Sequence, residues 1–243
     1  MSNVHTTRIS GNLAYWDTHR KRLVDAIGPD VVKDIIDFNG GEPHNASEID
    51  LEWTVTRVEA GAGESTIAVI DGSGGICRIT TDAAENDGIN AQRIGEAYEL
   101  TADQVLYVGF KGLTINDVTQ SDFFLGLCIT DTDILGGATD SIGFRKVDAS
   151  ADLTFVVEKD STETVVTGLA TLVDATDPGI LEFYWDGPNN TLEVFVNGVS
   201  VATPAVTNLP NNEALRLSWH FLTGEAVAQT MDLDKITVIQ IGR

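Results

Sequence analysis

From residue 48 to the C-terminus, apolar and polar positions alternate in short runs broken by turn residues, the pattern of an all-β sandwich or barrel. Strands are predicted over 52–58, 66–70, 76–81, 91–100, 104–113, 122–130, 141–147, 153–158, 164–171, 180–185, 191–196, 199–203, 214–221 and 230–241. The breaks fall at Gly61-Ala62-Gly63, Asp71 to Gly75, Asp87-Gly88, Gly136-Gly137, Asp186-Gly187-Pro188 and Asn197-Gly198. Asn197-Gly198 accepts positive φ at both turn positions, so LEVFVNGVSVAT (192–203) reads as a hairpin. A two-residue turn there pairs Val196 with Val199, Val194 with Val201 and Leu192 with Thr203. Those residues share one apolar face, and Glu193, Phe195 and Ser200 fall on the other. Such hairpins are frequent in lectin-like sandwiches. The run FFLGLCIT (123–130) is apolar on both faces and suits a central strand.

Residues 1–38 read differently. Asp17 or Thr18 can cap a short helix carrying Leu23, Val24 and Ile27, which Gly28-Pro29 interrupts. A second short helix is predicted over 30–38, where Val31, Val32, Ile35 and Ile36 make an apolar stripe. The expected organisation is a partly helical N-terminal arm (1–38), a linker (39–47, NGGEPHNAS) and a jelly-roll β-sandwich (48–243).

Charge separates the arm from the body. The chain carries 15 Lys+Arg against 37 Asp+Glu, a formal net charge of −22. Residues 1–25 hold Arg8, Arg20, Lys21 and Arg22 against two acids, so they stand at +2 and the remainder at −24. An acidic body argues against nucleic-acid binding, which needs a basic surface for phosphate. No run approaches the roughly 18 apolar residues of a membrane helix, so no membrane partner is expected. MSNVHTTRISGN lacks an apolar signal core, so secretion by the usual route is not expected. Cys77 and Cys128, each in an apolar run without a CxxC pair, read as two buried thiols of a chain assembled in a reducing cytoplasm.

Several constellations could carry chemistry. EIDLE (48–52) resembles the catalytic strand of family 16 glycoside hydrolases, in which the first Glu is nucleophile and the last is acid/base. Glu48, Asp50 and Glu52 would share one strand face. Against this, the motif sits at the very start of the sandwich, and aromatic residues make up only 7% of the chain, sparse for a sugar cleft. Acidic loops at 82–88 and 130–137 offer Asp82, Glu85, Asp87, Asp131 and Asp133 as hard oxygen ligands for a cation. Neither has EF-hand spacing: Ala84 takes an oxygen position and Asp87 stands where the glycine belongs. Solvated loop carboxylates are the default reading, and no metal or other cofactor is expected. Of His5, His19, His44 and His220, only His220 lies in a predicted strand, with no nucleophile pattern beside it. Arg8, Tyr15, Trp16, Arg20, Lys21 and Arg22 combine aromatic anchors with cations and are the candidate interface residues of the arm. The alternative is an arm folded back on its own sandwich.

Eight stretches together resemble a group of structural proteins of tailed bacteriophages: RLVDAIGPDVVK (22–33), VEAGAGEST (58–66), TTDAAENDGIN (80–90), TQSDFFLGLCITDTDILGG (119–137), FRKVD (144–148), VVEKDSTET (156–164), LEVFVNG (192–198) and HFLTGEA (220–226). The resemblance implies a concanavalin-like jelly roll behind a short N-terminal arm, and a place on the virion surface after assembly in the host cytoplasm. It implies a non-enzymatic capsid decoration or head-fibre protein, whose arm binds the major capsid protein or another virion protein. A homo-oligomer is expected, a trimer before a dimer. The alternatives are a glycan-binding module of a phage appendage and a glycoside hydrolase using EIDLE.

Overall fold

The described residues of this computed structural model, 4–18, 22–39 and 52–242, form twenty β-strands and one short 3-10 turn (Gly187–Asn189) joined by loops, and contain no α-helix. In chain order the strands are β1 (Val4–Ile9), β2 (Asn12–Asp17), β3 (Arg22–Ile27), β4 (Val31–Ile36), β5 (Trp53–Val58), β6 (Thr66–Ile70) and β7 (Ile76–Thr80). β8 (Gly88–Arg93), β9 (Val105–Lys111), β10 (Thr114–Ile115), β11 (Ser121–Cys128), β12 (Ser141–Lys146), β13 (Asp152–Lys159) and β14 (Thr162–Thr171) follow. The last are β15 (Leu181–Asp186), β16 (Thr191–Val196), β17 (Val199–Ala202), β18 (Arg216–Thr223), β19 (Thr230–Leu233) and β20 (Lys235–Ile241).

Two antiparallel sheets make the sandwich, one of seven strands (β14-β13-β12-β11-β18-β8-β5) and one of six (β17-β16-β15-β9-β20-β4). Alternate residues point between them. Phe123, Leu125 and Leu127 of β11 meet Leu106, Val108 and Phe110 of β9 in one continuous core, joined by Phe144, Phe155, Phe183 and Trp219. The rings of Phe144, Phe155 and Phe183 contact one another at 5.2–6.3 Å. A small sheet, β10-β19-β7-β6, adds Ile67, Cys77, Ile79, Met231 and Leu233 to the same core.

Both predicted N-terminal helices are strands. β4 pairs with β20 from Ile36↔Ile236 to Val31↔Ile241 and is an edge of the six-stranded sheet, so residues 31–38 belong to the sandwich rather than to an arm. Phe38 packs against Trp219 in the core. β1, β2 and β3 form a three-stranded meander lying on the outer face of the six-stranded sheet. Ala14, Leu23 and Ala26 are buried there against Tyr107, Tyr184, Phe195 and Ile239. A sheet with an apolar stripe on its outer face needs such a cover, because bare apolar area costs about 25 cal/mol per Å².

The 192–203 hairpin has its predicted turn, with φ of 49° at Asn197 and 74° at Gly198. Its register differs beyond the turn. Val196 pairs with Val199 and Phe195 with Ser200, then a bulge places Val194 opposite Ala202 rather than Val201. Leu192 and Val194 enter the core, whereas Val199 and Val201 are exposed at this sheet edge. Phe195, on the other face, is buried beneath the N-terminal meander.

Candidate functional site

The basic and aromatic residues of the N-terminal segment divide by face. Arg22 is buried and forms an ion pair with Glu182, which also accepts a 2.7 Å hydrogen bond from the Tyr107 hydroxyl. The guanidinium lies 5.5 Å from the ring centres of both Tyr107 and Phe195. Trp16 packs edge-on against Tyr184 at 5.7 Å. Both side chains, candidates for contact with a shell or neighbouring subunit, are instead engaged within the chain, the folded-back arrangement. Arg8 and Tyr15 alternate onto the opposite, outward face of the meander. Arg20 and Lys21 lie outside the described residues.

Three of the acidic candidates, Asp87, Asp131 and Asp133, hold their own loops. Asp87 is fully buried, and its Oδ1 accepts from the backbone N–H of Ala60 and Gly61. Asp131 Oδ1 accepts from the Asp133 N–H (2.7 Å), and Asp133 Oδ1 from the Gly136 N–H (3.2 Å). Asp82 is half-buried, its own N–H reaching the Ser65 hydroxyl, and Glu85 is exposed. Among the described residues no three His, Cys, Asp or Glu side chains converge as a metal site requires. Cys77 and Cys128 are free, buried thiols. Of EIDLE, residues 48–51 lie outside the described residues. Glu52 stands just before the edge strand β5 and forms an ion pair with Arg93, which also binds Asp34 at 3.0 Å.

A different carboxylate pair occupies the outer face of the seven-stranded sheet. The β13–β14 hairpin turns at Asp160-Ser161, both with positive φ (49° and 61°), and places Glu158 directly opposite Glu163. The turn is braced from outside by the Ser161 N–H donating to Thr139 O at 2.9 Å. Ser141 donates to Glu158 at 3.2 Å, and Arg145 donates to Glu163 at 2.7 Å. Burial raises the Glu158 carboxyl above the ordinary Glu range, against the lowering effect of the Ser141 bond. With Phe124, Leu135 and Ser161, these four side chains line a cleft of about 270 Å³. The sequence signal for the pair was its register. Once Asp160-Ser161 is a two-residue turn, Glu158 and Glu163 must face each other.

One wall of the cleft is the segment 129–140, which folds over the same face of the sheet. Ile134 and Ala138 pack on Phe124, Cys128 and Val156 in a cluster separate from the main core. Phe124 lies against Gly126 and Gly143, which pair across β11 and β12; a Cβ at either would come within 2.9 Å of the ring. Polar bonds complete the attachment. Asn90 Nδ2 donates to Asp131 O (2.8 Å), Gln92 Nε2 to Ile129 O (2.9 Å), and the Asp131 N–H to Gln92 Oε1 (3.0 Å). His220, paired with Asn90 across β18 and β8, is fully buried, and burial pushes its imidazole down to about 4.

No protein-family model matches this chain, and no curated protein does. Solved structures match its fold. An endo-1,3-beta-glucanase from Streptomyces sioyaensis is similar over 90% of this chain and 100% of its own, with TM-score 0.61 and 13% identity. A family 16 glycoside hydrolase from Bacteroides ovatus covers 85% of this chain and 99% of its own, at TM-score 0.58 and 11% identity. The Emp46p carbohydrate recognition domain covers 77% and 88%, at 0.53 and 10%. The fold is therefore the concanavalin-like jelly roll used by glucanases and by a carbohydrate-recognition domain. This corrects the expectation of a non-enzymatic chain: endo-glucanases have this architecture over nearly its whole length, and an opposed carboxylate pair stands on its outer face.

Proposed function

We propose that the chain recognises glycans in the cleft formed by Ser141, Arg145, Glu158, Ser161 and Glu163. The observation that carries this reading is the convergence of two carboxylates, a guanidinium and two hydroxyls beside the apolar Leu135 and Phe124. A sugar needs that combination, because each hydroxyl both donates and accepts while the ring carbons require an apolar wall. The likeness to glucanases and a carbohydrate-recognition domain supports it at the level of fold. The test is a glycan array followed by titration calorimetry on the strongest binder. Binding that falls at least about tenfold in Arg145→Ala and Glu163→Ala is expected. An array with no signal above background overturns the proposal.

Hydrolysis in the same cleft is a second reading, favoured by the unequal environments of the two carboxyls. Glu158 is the member held towards its protonated form, as a general acid requires, while Glu163 is paired with Arg145. Directly opposed strand residues have Cβ atoms about 5 Å apart, compatible with the roughly 5–5.5 Å carboxyl separation of retaining enzymes. Release of reducing ends from β-1,3- or β-1,4-glucan, abolished in both Glu158→Gln and Glu163→Gln, is the expected result. Unchanged release in either variant removes the pair from the chemistry.

For the setting, we propose the surface of a tailed-phage particle, following the whole-chain resemblance. Attachment would use the outward face of the β1–β3 meander, where Arg8 and Tyr15 stand beside the exposed Val24 and Ile27. Mass spectrometry of purified particles should find the chain, and Ile27→Asp should lower its occupancy. Its absence from particles would sink this setting.

A further inference from the structure

Under the 129–140 segment, the outer face of the seven-stranded sheet is polar where a covered surface is ordinarily apolar. Asn90, Gln92, Ser218 and His220 sit in register on β8 and β18, and each is at most 3% exposed. Among the described residues, neither ring nitrogen of His220 nor Oδ1 of Asn90 has a hydrogen-bond partner. Leaving such groups buried and unpaired is costly, which marks them as places with a further use. The side chains that are satisfied bond mainly to the backbone of the covering segment: Asp131 O accepts a hydrogen bond from Asn90 Nδ2, Ile129 O accepts one from Gln92 Nε2, and the Asp131 N–H donates to Gln92 Oε1. One carbonyl and one N–H on a single amide are what the oxygen and hydrogen of a hydroxyl group would supply.

The cover is lightly built. Of residues 129–140 only Ile134, Ala138 and Asp140 are buried, and the first two belong to the small cluster outside the main core. Segments with few buried apolar contacts open at a free energy well below that of global unfolding. The segment also forms the wall of the cleft, through Ile134, Leu135, Gly136 and Ala138, so its displacement would join the cleft to the polar strip.

We propose that Asn90, Gln92 and His220 form the floor of an inner subsite for a neutral, hydroxyl-rich ligand, and that segment 129–140 occupies this floor until the ligand displaces it. The inference rests on the glycan-binding reading of the outer cleft. A neutral imidazole offers one donor and one acceptor, and each amide offers both, so the floor matches hydroxyls and provides no countercharge for an anion. Gly136-Gly137, at the exposed tip, leaves the segment without side-chain bulk as it swings.

Two readouts separate this proposal from the one it rests on. The first uses no ligand: modification of His220 by diethyl pyrocarbonate, mapped by mass spectrometry, in the wild type and in Ile134→Ser. Loosening the cover is expected to raise His220 labelling about tenfold while the melting transition of the sandwich stays intact. The second is binding of β-glucan oligosaccharides by wild type, Ile134→Ser, His220→Phe and Arg145→Ala. Ile134→Ser should tighten binding, and His220→Phe should weaken it about tenfold, the equivalent of one or two hydrogen bonds. If Arg145→Ala abolishes binding while His220→Phe leaves it unchanged, the outer cleft stands and the inner floor is overturned. If none of the proteins binds the oligosaccharides, both fall. Labelling of His220 that appears only with global unfolding overturns the displacement of the cover, whatever the binding shows.

Discussion

Glu158 and Glu163 face each other directly across the β13–β14 hairpin, an arrangement in which like charges ordinarily destabilise a sheet. Their neighbours divide the burden: Arg145 neutralises Glu163, and Ser141 donates to Glu158. Because burial raises the Glu158 carboxyl, the folded state holds its proton to higher pH than the unfolded chain does. By linkage this group's contribution to stability falls as pH rises through the interval above the ordinary Glu range. Glu158→Gln is therefore expected to stabilise the fold at pH 7 by less than about 1 kcal/mol, since the site is partly solvated. The gain should shrink towards pH 4. Urea unfolding at both pH values measures it, and a loss of stability at pH 7 would contradict this account.

The buried Arg22–Glu182 pair ties the N-terminal meander to the six-stranded sheet. Removing one member leaves an uncompensated charge between apolar layers, so Arg22→Met should cost roughly 3–5 kcal/mol. Replacing both, as in Arg22→Met with Glu182→Leu, should recover most of that loss, because two well-packed apolar groups remove the charge altogether. Guanidinium unfolding of the two single variants and the double variant gives the coupling. Strict additivity would show that the pair does not couple the layers.

His220 predicts a second pH signature, of opposite slope. Its imidazole is held down to about 4 by burial, whereas the unfolded side chain titrates near 6.5. Between these values the unfolded chain binds the proton and the folded chain does not. Stability attributable to this residue is thus complete above about pH 6.5 and drains away as pH falls towards 4. The difference in unfolding free energy between wild type and His220→Phe, followed from pH 7 to pH 4, should change by about 3 kcal/mol in favour of the variant. A flat difference would mean that the ring is solvated in the folded state.

Cys77 and Cys128 should be inert while the protein is folded. Both thiols are buried, and desolvation raises them far above their ordinary range, so the reactive thiolate is not formed at neutral pH. Ellman's reagent is expected to titrate neither cysteine without denaturant and both in 6 M guanidinium, a concentration typical of full unfolding. Rapid reaction under native conditions would place one of them at an accessible surface.

The strands of the sandwich were legible wherever one face of a strand differs from the other, or where a turn signal is unambiguous. Asn197-Gly198 gave its turn correctly. The failures have physical causes. β4 is flanked on both sides: Val32 and Ile36 face the main core, and Val31 meets the cluster beneath the meander. The doublets Val31-Val32 and Ile35-Ile36 therefore carry no alternation, and they fit a helical stripe equally well. Val201 loses its expected partner because a bulge, which no local residue announces, shifts the strand by one position beyond Ser200, whereas Val199 keeps its partner Val196 and is exposed beside the turn on the edge strand β17. The cleft was hidden for another reason. Glu158, Glu163 and Arg145 are ordinary charged residues of a very acidic chain, and only the pairing of β12, β13 and β14 gathers them. EIDLE, the one acidic motif with a familiar spacing, leads instead into an edge strand, where Glu52 is engaged by Arg93.

The order of the layers gives the molecule a direction. The meander β1–β3 covers the outer side of one large sheet, and the cleft opens on the outer side of the other, with the whole core between them. A body held by its meander must therefore present the cleft away from whatever holds it. Occupation of one side leaves the other sterically untouched, and many copies fixed on a common support would expose a uniform array of clefts to the surroundings.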